Sequence, residues 1–380
     1  MVLTDSRADY CVLKNMLQRI QDSEKLELYM IVTGAHLSEQ YGHTVEEIEG
    51  DGIEIWKALP ISGDFDERVR IPLEMSHLLI HLSGAFCEER PDILVLLGDR
   101  YEMLAAALVA VGMHIPIAHI SGGESTEGAM DEQIRHAITK MAHIHFPGAA
   151  VYADNIKKMG EEAWRIFDVG DPGIENIKST KTMKKSDLEN ELKIKIDKDT
   201  LLVTYHPVTL EADALAWQMA NLISALADHT GSIVITYPNS DDGSELIIRK
   251  WKEFANAKKN VRLVQSLGNT RYISLMGYCG ALVGNSSSAI IEAPFIKVAV
   301  VNIGNRQKGR LMADNIICCG YEKQEIREAI RKALGDEFGK NVRCSKSLYG
   351  EGETSKKIVE ILENIEINEI LLKKKLIWER

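Results

Sequence analysis

Short apolar runs that end in glycine, aspartate, serine or histidine, each followed by helical periodicity, recur along nearly the whole 380-residue chain. A run of four to six apolar residues without polar alternation is a strand buried on both faces. Such strands need a parallel sheet with helices on each side. In the first half the runs are 1–4, 28–33, 93–97, 116–120, 143–146 and 166–169. Helical patterns lie behind them, at Leu13, Met16, Leu17 and Ile20, over 68–86, over 101–111 and over 130–142. Residues 50–66 are mixed and glycine-containing and read as a loop or a short edge strand.

The alternation then stops. Gly170-Asp171-Pro172-Gly173 is a turn cluster, and 178–198 is lysine-rich with few apolar anchors, which places a domain boundary near 171–175. It resumes with runs at 201–205, 232–237, 261–265, 281–283, 298–302 and 316–318. The expected architecture is α/β, with two Rossmann-like domains facing across a cleft. These are 1–172 and 173–364, with 365–380 as a terminal segment that crosses back to the first domain. Neither half carries G-x-G-x-x-G, which disfavours a nicotinamide or flavin dehydrogenase.

Bulk properties remove other classes. The formal net charge is −11, so the chain as a whole offers no cationic footprint to nucleic acid or anionic lipid. Any phosphate must be held by local devices. The longest apolar stretch, 103–120, is broken by His114, Pro116 and His119, which argues against a membrane span. No cationic start precedes an apolar segment, so no signal peptide is expected. The six cysteines include no C-x-x-C pair and read as reduced thiols of a cytoplasmic protein. His143-x-His145 has no third ligand at useful spacing and reads as a packed pair rather than a metal site.

Chemistry concentrates at the ends of the apolar runs, where an open α/β sheet presents its ligand. Gly98-Asp99-Arg100 closes one run. His119-Ile120-Ser121-Gly122-Gly123-Glu124 closes the next and leads to Asp131-Glu132-Gln133-Ile134-Arg135-His136. Asp131 begins a helix, and Arg135 lies one turn on, on the same side. A carboxylate beside an arginine stays charged, whereas one closed away without such a partner can hold a proton. The cluster can therefore offer both an acid and a base. Arg7, in the first strand-to-helix turn, can reach a diphosphate or be a solvated turn residue. In the second half, His206-Pro207-Val208-Thr209 follows the first run. Tyr237-Pro238-Asn239-Ser240-Asp241-Asp242-Gly243 is a polar strand-end loop. Gly284-Asn285-Ser286-Ser287-Ser288 opens a helix as an anion seat or as a plain serine cap. Glu292, two turns further, can accept ribose hydroxyls, and Arg306 in Gly304-Asn305-Arg306-Gln307 can reach the same diphosphate.

Together these motifs resemble the hydrolysing UDP-N-acetylglucosamine 2-epimerases of the sialic-acid pathway, in order and spacing over nearly the whole chain. The resemblance extends to Ser6-Arg7-Ala8-Asp9-Tyr10. It implies a GT-B fold, a homodimer or homotetramer, a UDP-sugar substrate, and a reaction needing neither metal nor cofactor. The implied reaction eliminates UDP across C1–C2 to a 2-acetamidoglucal, which water then converts to N-acetylmannosamine. By the same resemblance, Asp99, Glu124, Asp131, Arg135 and His206 form the catalytic set. Arg7, His206, Asn239, Ser286, Ser287, Glu292 and Arg306 would bind UDP. One departure stands out: the family has His-x-Glu-Gly-Gly-Glu where this chain has Ser121, and Glu124 or Glu127 would have to substitute for the missing acid. The alternative donor is UDP- or GDP-N,N′-diacetylbacillosamine, whose epimerases in legionaminic acid synthesis also depart here. A GT-B glycosyltransferase is the more distant alternative.

Overall fold

The computed structural model describes residues 1–38, 43–61, 63, 66, 69–126, 130–239 and 243–378. They fall into two compact units. The first holds six parallel strands: β1 (Val2–Thr4), β2 (Met30–Thr33), β3 (Lys57–Leu59), β4 (Leu94–Leu97), β5 (Ile117–Ile120) and β6 (Ile144–Phe146). Their order in the sheet is β3-β2-β1-β4-β5-β6. Alternate residues supply the two faces. Val2, Val32, Val95, Ala118 and Ile144 pack with Leu13, Met16 and Leu17 of the helix Arg7–Gln21. Leu3, Ile31, Leu94, Leu96 and Ile117 pack with the helices Arg70–Glu88, Tyr101–Gly112 and Asp131–Met141. Burial on both faces is why these strands read as continuous apolar runs.

The second unit repeats the plan with β7 (Leu201–Thr204), β8 (Ile233–Thr236), β9 (Val261–Val264), β10 (Ala281–Gly284), β11 (Ala299–Ile303) and β12 (Ile316–Cys319). Their order is β12-β11-β10-β7-β8-β9. Counted from its own first strand, each sheet runs 3-2-1-4-5-6. Each therefore has a topological switch point between its first and fourth strands, β1/β4 and β7/β10. Loops leaving these strands are the natural ligand positions.

Two elements differ from expectation. The expected strand 166–169 touches the sheet only through one parallel bridge, His145 to Ile166. The sixth strand is β3 inside 50–66, with only three residues. The second concerns the chain's return. Contacts group Tyr349–Arg380 with the first unit, so the crossing begins well before residue 365 and the second unit ends at Leu348. The helix Thr354–Asn364 places Ile358, Val359 and Leu362 in the core shared with Arg7–Gln21. Each such side chain is worth about 1.5–3 kcal/mol when fully buried, which holds this helix on the first unit. Arg165, fully buried, anchors the terminal segment by donating to the carbonyls of Leu371 (2.7 Å) and Ile370 (2.9 Å). No described helix is long and apolar enough to cross a membrane.

Candidate functional site

The first unit's switch point is dense in charge. Gly98 ends β4 with φ +76, and Asp99 then pairs with the Nη2 of Arg135. Arg135 is 2% exposed. Its Nη1 donates to the Glu124 carbonyl at 3.2 Å and lies 3.5 Å from Glu132. The helix Asp131–Met141 thus delivers one buried guanidinium to the β4 loop and to the loop after β5. Glu124 is buried, while Asp131, the first residue of the helix, is half-buried. Ser121 adopts φ +62, unusual for a residue with a side chain, at the turn out of β5. Glu127 lies outside the described residues.

Around this core sit further polar groups, of which Asp5 and Glu102 were marked by no motif. His119 donates from Nε2 to the Gly98 carbonyl at 2.7 Å, and burial lowers it to about 4, so the ring is neutral. Arg100 donates from Nε to Asp5 at 2.8 Å, and Glu102 lies 3.5 Å away. Asp5 and Glu102 are essentially inaccessible. Burial and then the charge of Asp5 push Glu102 up to about 8. Burial and Asp5 likewise raise Asp9 well above the carboxylate range. Burial works against Asp5 too, but Arg100 and a hydrogen bond from Asp9 outweigh it and hold Asp5 low. One arginine thus serves three neighbouring carboxylates, and the upward shifts of Glu102 and Asp9 both favour the protonated form. Arg7 begins the first helix, with its Nη1 3.8 Å from Glu47.

The second unit gathers its residues on Asn285, fully buried at the end of β10. The Asn285 side chain accepts from the His206 N–H at 2.7 Å and donates to the His206 carbonyl at 2.8 Å. The Asn285 carbonyl accepts from Arg306 Nη1 at 3.2 Å and from Gln307 at 2.9 Å. The Asn239 backbone N–H donates to His206 Nδ1 at 3.1 Å. Nδ1 is thereby an acceptor, so the proton of neutral His206 sits on Nε2. Burial, then the Arg306 charge, holds this histidine well below its ordinary value. It remains a neutral donor at pH 7. Ser240, Asp241 and Asp242 lie outside the described residues, as do the side chains of Thr209 and Leu210.

Gly284 permits the close approach of β7 and β10. It has φ +140, and a Cβ there would sit 1.8 Å from the Thr204 carbonyl. Ser286 does not cap the following helix through its side chain; its hydroxyl lies 3.2 Å from that of Ser288, which Tyr272 reaches at 2.7 Å. Ser287 is the first residue of the short helix Ser287–Ile291, and Glu292 joins it to Ala293–Ile296. The structure therefore links Asp99, Arg135 and Glu124 in one unit, and His206, Asn239 and Arg306 in the other. Each of these two sets lies at its unit's switch point. His143 and His145 are used elsewhere: His143 Nδ1 accepts the Ile117 N–H at 3.2 Å, and His145 meets Glu161 at 3.2 Å.

Two parallel sheets of this order in one chain, each with its polar groups at the switch point, are the GT-B type of α/β protein. The chain belongs to the UDP-N-acetylglucosamine 2-epimerase family, which it matches over residues 18–363. It is 38% identical to the GDP/UDP-N,N′-diacetylbacillosamine 2-epimerase (hydrolyzing) of Campylobacter jejuni, over 98% of this chain and 97% of that protein. To the UDP-N,N′-diacetylbacillosamine 2-epimerase (hydrolyzing) of Legionella pneumophila it is 35% identical, over 98% and 97%. To the UDP-N-acetylglucosamine 2-epimerase of Neisseria meningitidis it is 28% identical, over 99% and 97%. The crystal structure of a UDP-GlcNAc 2-epimerase from Neisseria meningitidis bound to UDP-GlcNAc superposes with a TM-score of 0.83 at 18% identity, covering 95% of this chain and 98% of that one.

Proposed function

We propose that this chain is a hydrolysing 2-epimerase whose donor is nucleoside-diphospho-N,N′-diacetylbacillosamine, with uridine or guanosine as the base. The order of similarity carries this reading: relatives named for that sugar reach 38% and 35% identity, against 28% for one named for N-acetylglucosamine. It takes precedence over the UDP-N-acetylglucosamine reading expected from the motifs. Ser121 supports it. N,N′-diacetylbacillosamine carries an acetamido group at C4 in place of a hydroxyl, and serine leaves space that a glutamate would fill.

In the proposed reaction a carboxylate takes the C2 proton, C1=C2 forms, and the C1–O bond breaks with its electron pair leaving on the diphosphate. Water then adds, its proton to C2 on the opposite face and its hydroxyl to C1. Asp99, Glu124 and Asp131 are the proposed acid/base set. Arg135 holds Asp99 in place through their ion pair. His206, from Nε2–H, and Arg306, with Ser286, Ser287, Arg7 and the Asn239 loop, bind the nucleotide diphosphate. Hydrogen bonds to an ionised acceptor are among the stronger ones a neutral donor can make. Glu292 takes the ribose hydroxyls. The proposed assembly is a homodimer or homotetramer. Leu73, Ile80, Leu108 and Val111 are exposed on two helices that pack against each other, which supports it. Sedimentation equilibrium tests it, and a monomer at micromolar concentration would remove it.

The donor reading is tested by initial rates of nucleotide release from UDP- and GDP-N,N′-diacetylbacillosamine and from UDP-N-acetylglucosamine. A bacillosamine donor is expected to lead in kcat/KM by at least about tenfold, the worth of about 1.4 kcal/mol of differential transition-state binding. A lead for UDP-N-acetylglucosamine would return the assignment to that sugar. Release only on adding an acceptor alcohol would indicate a glycosyltransferase.

A further inference from the structure

Beside the Asn285 junction, the second unit carries a separate polar ring centred on Glu211. Glu211 sits in the turn Thr209–Ala214 that follows the His206 loop, with φ −121 and ψ 26 where its neighbours are helical. Its two oxygens receive three neutral donors. The Tyr321 hydroxyl donates at 2.6 Å, the Gln218 amide at 2.8 Å and the Asn305 amide at 3.0 Å. Each donor is fixed in turn. Gln218 is buried and accepts from the hydroxyl of Tyr205, the residue before His206, at 3.0 Å. Tyr321, in the loop after β12, accepts the backbone N–H of Asn305 at 3.1 Å. Its ring lies over Gly304, where a Cβ would stand 2.1 Å from the ring carbons. Asn305 immediately precedes Arg306.

The ring thus ties the loops after β7, β11 and β12, while Asn285 ties those after β7, β10 and β11. Both run through the residues flanking His206 and Arg306. We infer that Glu211, through Tyr321 and Asn305, is a positioning residue that sets Arg306 and His206 for the donor's diphosphate. The inference rests on the reading of those two residues as diphosphate ligands. A carboxylate suits the place because both of its oxygens accept. A glutamine there presents an amino group to at least one of these donors, so at least one hydrogen bond of the ring is lost or must rearrange. No bond is made or broken at Glu211, so its influence falls on binding of the nucleotide rather than on the chemical step.

The test compares the full-length chain with Glu211→Gln, Tyr321→Phe, Arg306→Ala and His206→Ala. UDP and GDP are titrated calorimetrically, and KM and kcat are measured for the donor that turns over. Glu211→Gln is expected to raise nucleotide Kd and donor KM about 5- to 30-fold, the range for coupled members of one network, with kcat changed less than about threefold. Tyr321→Phe removes one donor and no charge. It is expected to move the same constants less, with an unchanged melting temperature, which covers the case of a poorly folded Glu211→Gln. The inference is overturned if Arg306→Ala and His206→Ala weaken nucleotide binding while both ring variants bind as the natural chain does. It is also overturned if the ring variants lower kcat at unchanged Kd. If Arg306→Ala and His206→Ala bind nucleotide normally, the diphosphate reading itself fails and the positioning role with it.

Discussion

Asp99 and Arg135 form a pair in which only the carboxylate meets solvent, since the guanidinium is 2% exposed. Removing the acid would strip a buried cation of its nearest counter-charge, so a loss of activity in Asp99→Asn would mix chemistry with stability. Asp131 separates the two. It is half-buried at the start of its helix, where a carboxylate contributes only about 0.3–1 kcal/mol to the fold. Asp131→Asn is expected to lower kcat by at least about 100-fold, the usual worth of a general acid or base, while thermal unfolding barely moves. Activity within twofold of the natural chain would take Asp131 out of the acid/base set. The four-residue step from Asp131 to Arg135 was legible because helical periodicity turns spacing into direction. The role of Asn285 was not, because its side chain bonds His206, 79 residues away. Glu211 was hidden for the same reason: Asn305 and Tyr321 reach it from 94 and 110 residues away.

Of the twelve strands among the described residues, eleven were legible in the sequence, most of them as apolar runs, since a strand covered on both faces cannot alternate. The exception shows the limit of that signal. β3 is an edge strand of three residues, Lys57–Leu59, with only Leu59 buried, so it carries no apolar run. Residues 166–169 have the right composition but pair with β6 through a single bridge, and pairing is settled in three dimensions. The terminal segment depends on Arg165, whose guanidinium donates to carbonyls of His143, Ile370 and Leu371. Methionine can fill the volume but offers no donors. Arg165→Met is therefore expected to cost about 3 kcal/mol, the scale for deleting one side of a buried charged contact, and to speed limited proteolysis within 365–378. Unchanged cleavage would mean that apolar contacts such as that of Leu371 hold the segment alone.

At the scale of the whole molecule, buried neutral histidines set the acid limit of stability. Burial lowers His36, His119 and His143 to about 4, and His145 and His206 also fall below the ordinary value near 6.5. When the chain unfolds these rings regain that ordinary value, so between about 6.5 and 4 the unfolded chain binds more protons than the folded one. Their contribution is fully present above about pH 6.5 and is lost as the pH falls toward 4. At pH 5 the loss is on the order of 1–2 kcal/mol for each of the three. Glu102 and Asp9, raised in the fold, work in the opposite direction over the same range. The histidines outnumber them, so melting temperatures are expected to fall on balance from pH 7 to pH 5. A profile that stays flat in a Glu102→Gln variant as well would show that these rings protonate within the fold. The lysine-rich joint also reads differently in the folded chain. Leu188, Leu192 and Ile196, its sparse apolar anchors, are all buried in the second unit's core, so 185–196 is part of that unit rather than a free linker.

The proposed reaction removes the C2 proton, expels the nucleoside diphosphate and returns water to the sugar, all on one chain. Turnover of UDP-N,N′-diacetylbacillosamine, or of the GDP donor if that one is used, in deuterium oxide followed by proton NMR tests it directly. The expected result is free nucleotide together with a 2-epimeric reducing sugar carrying deuterium at C2. A released sugar that keeps its original C2 hydrogen would contradict the elimination and the roles given to Asp99, Glu124 and Asp131.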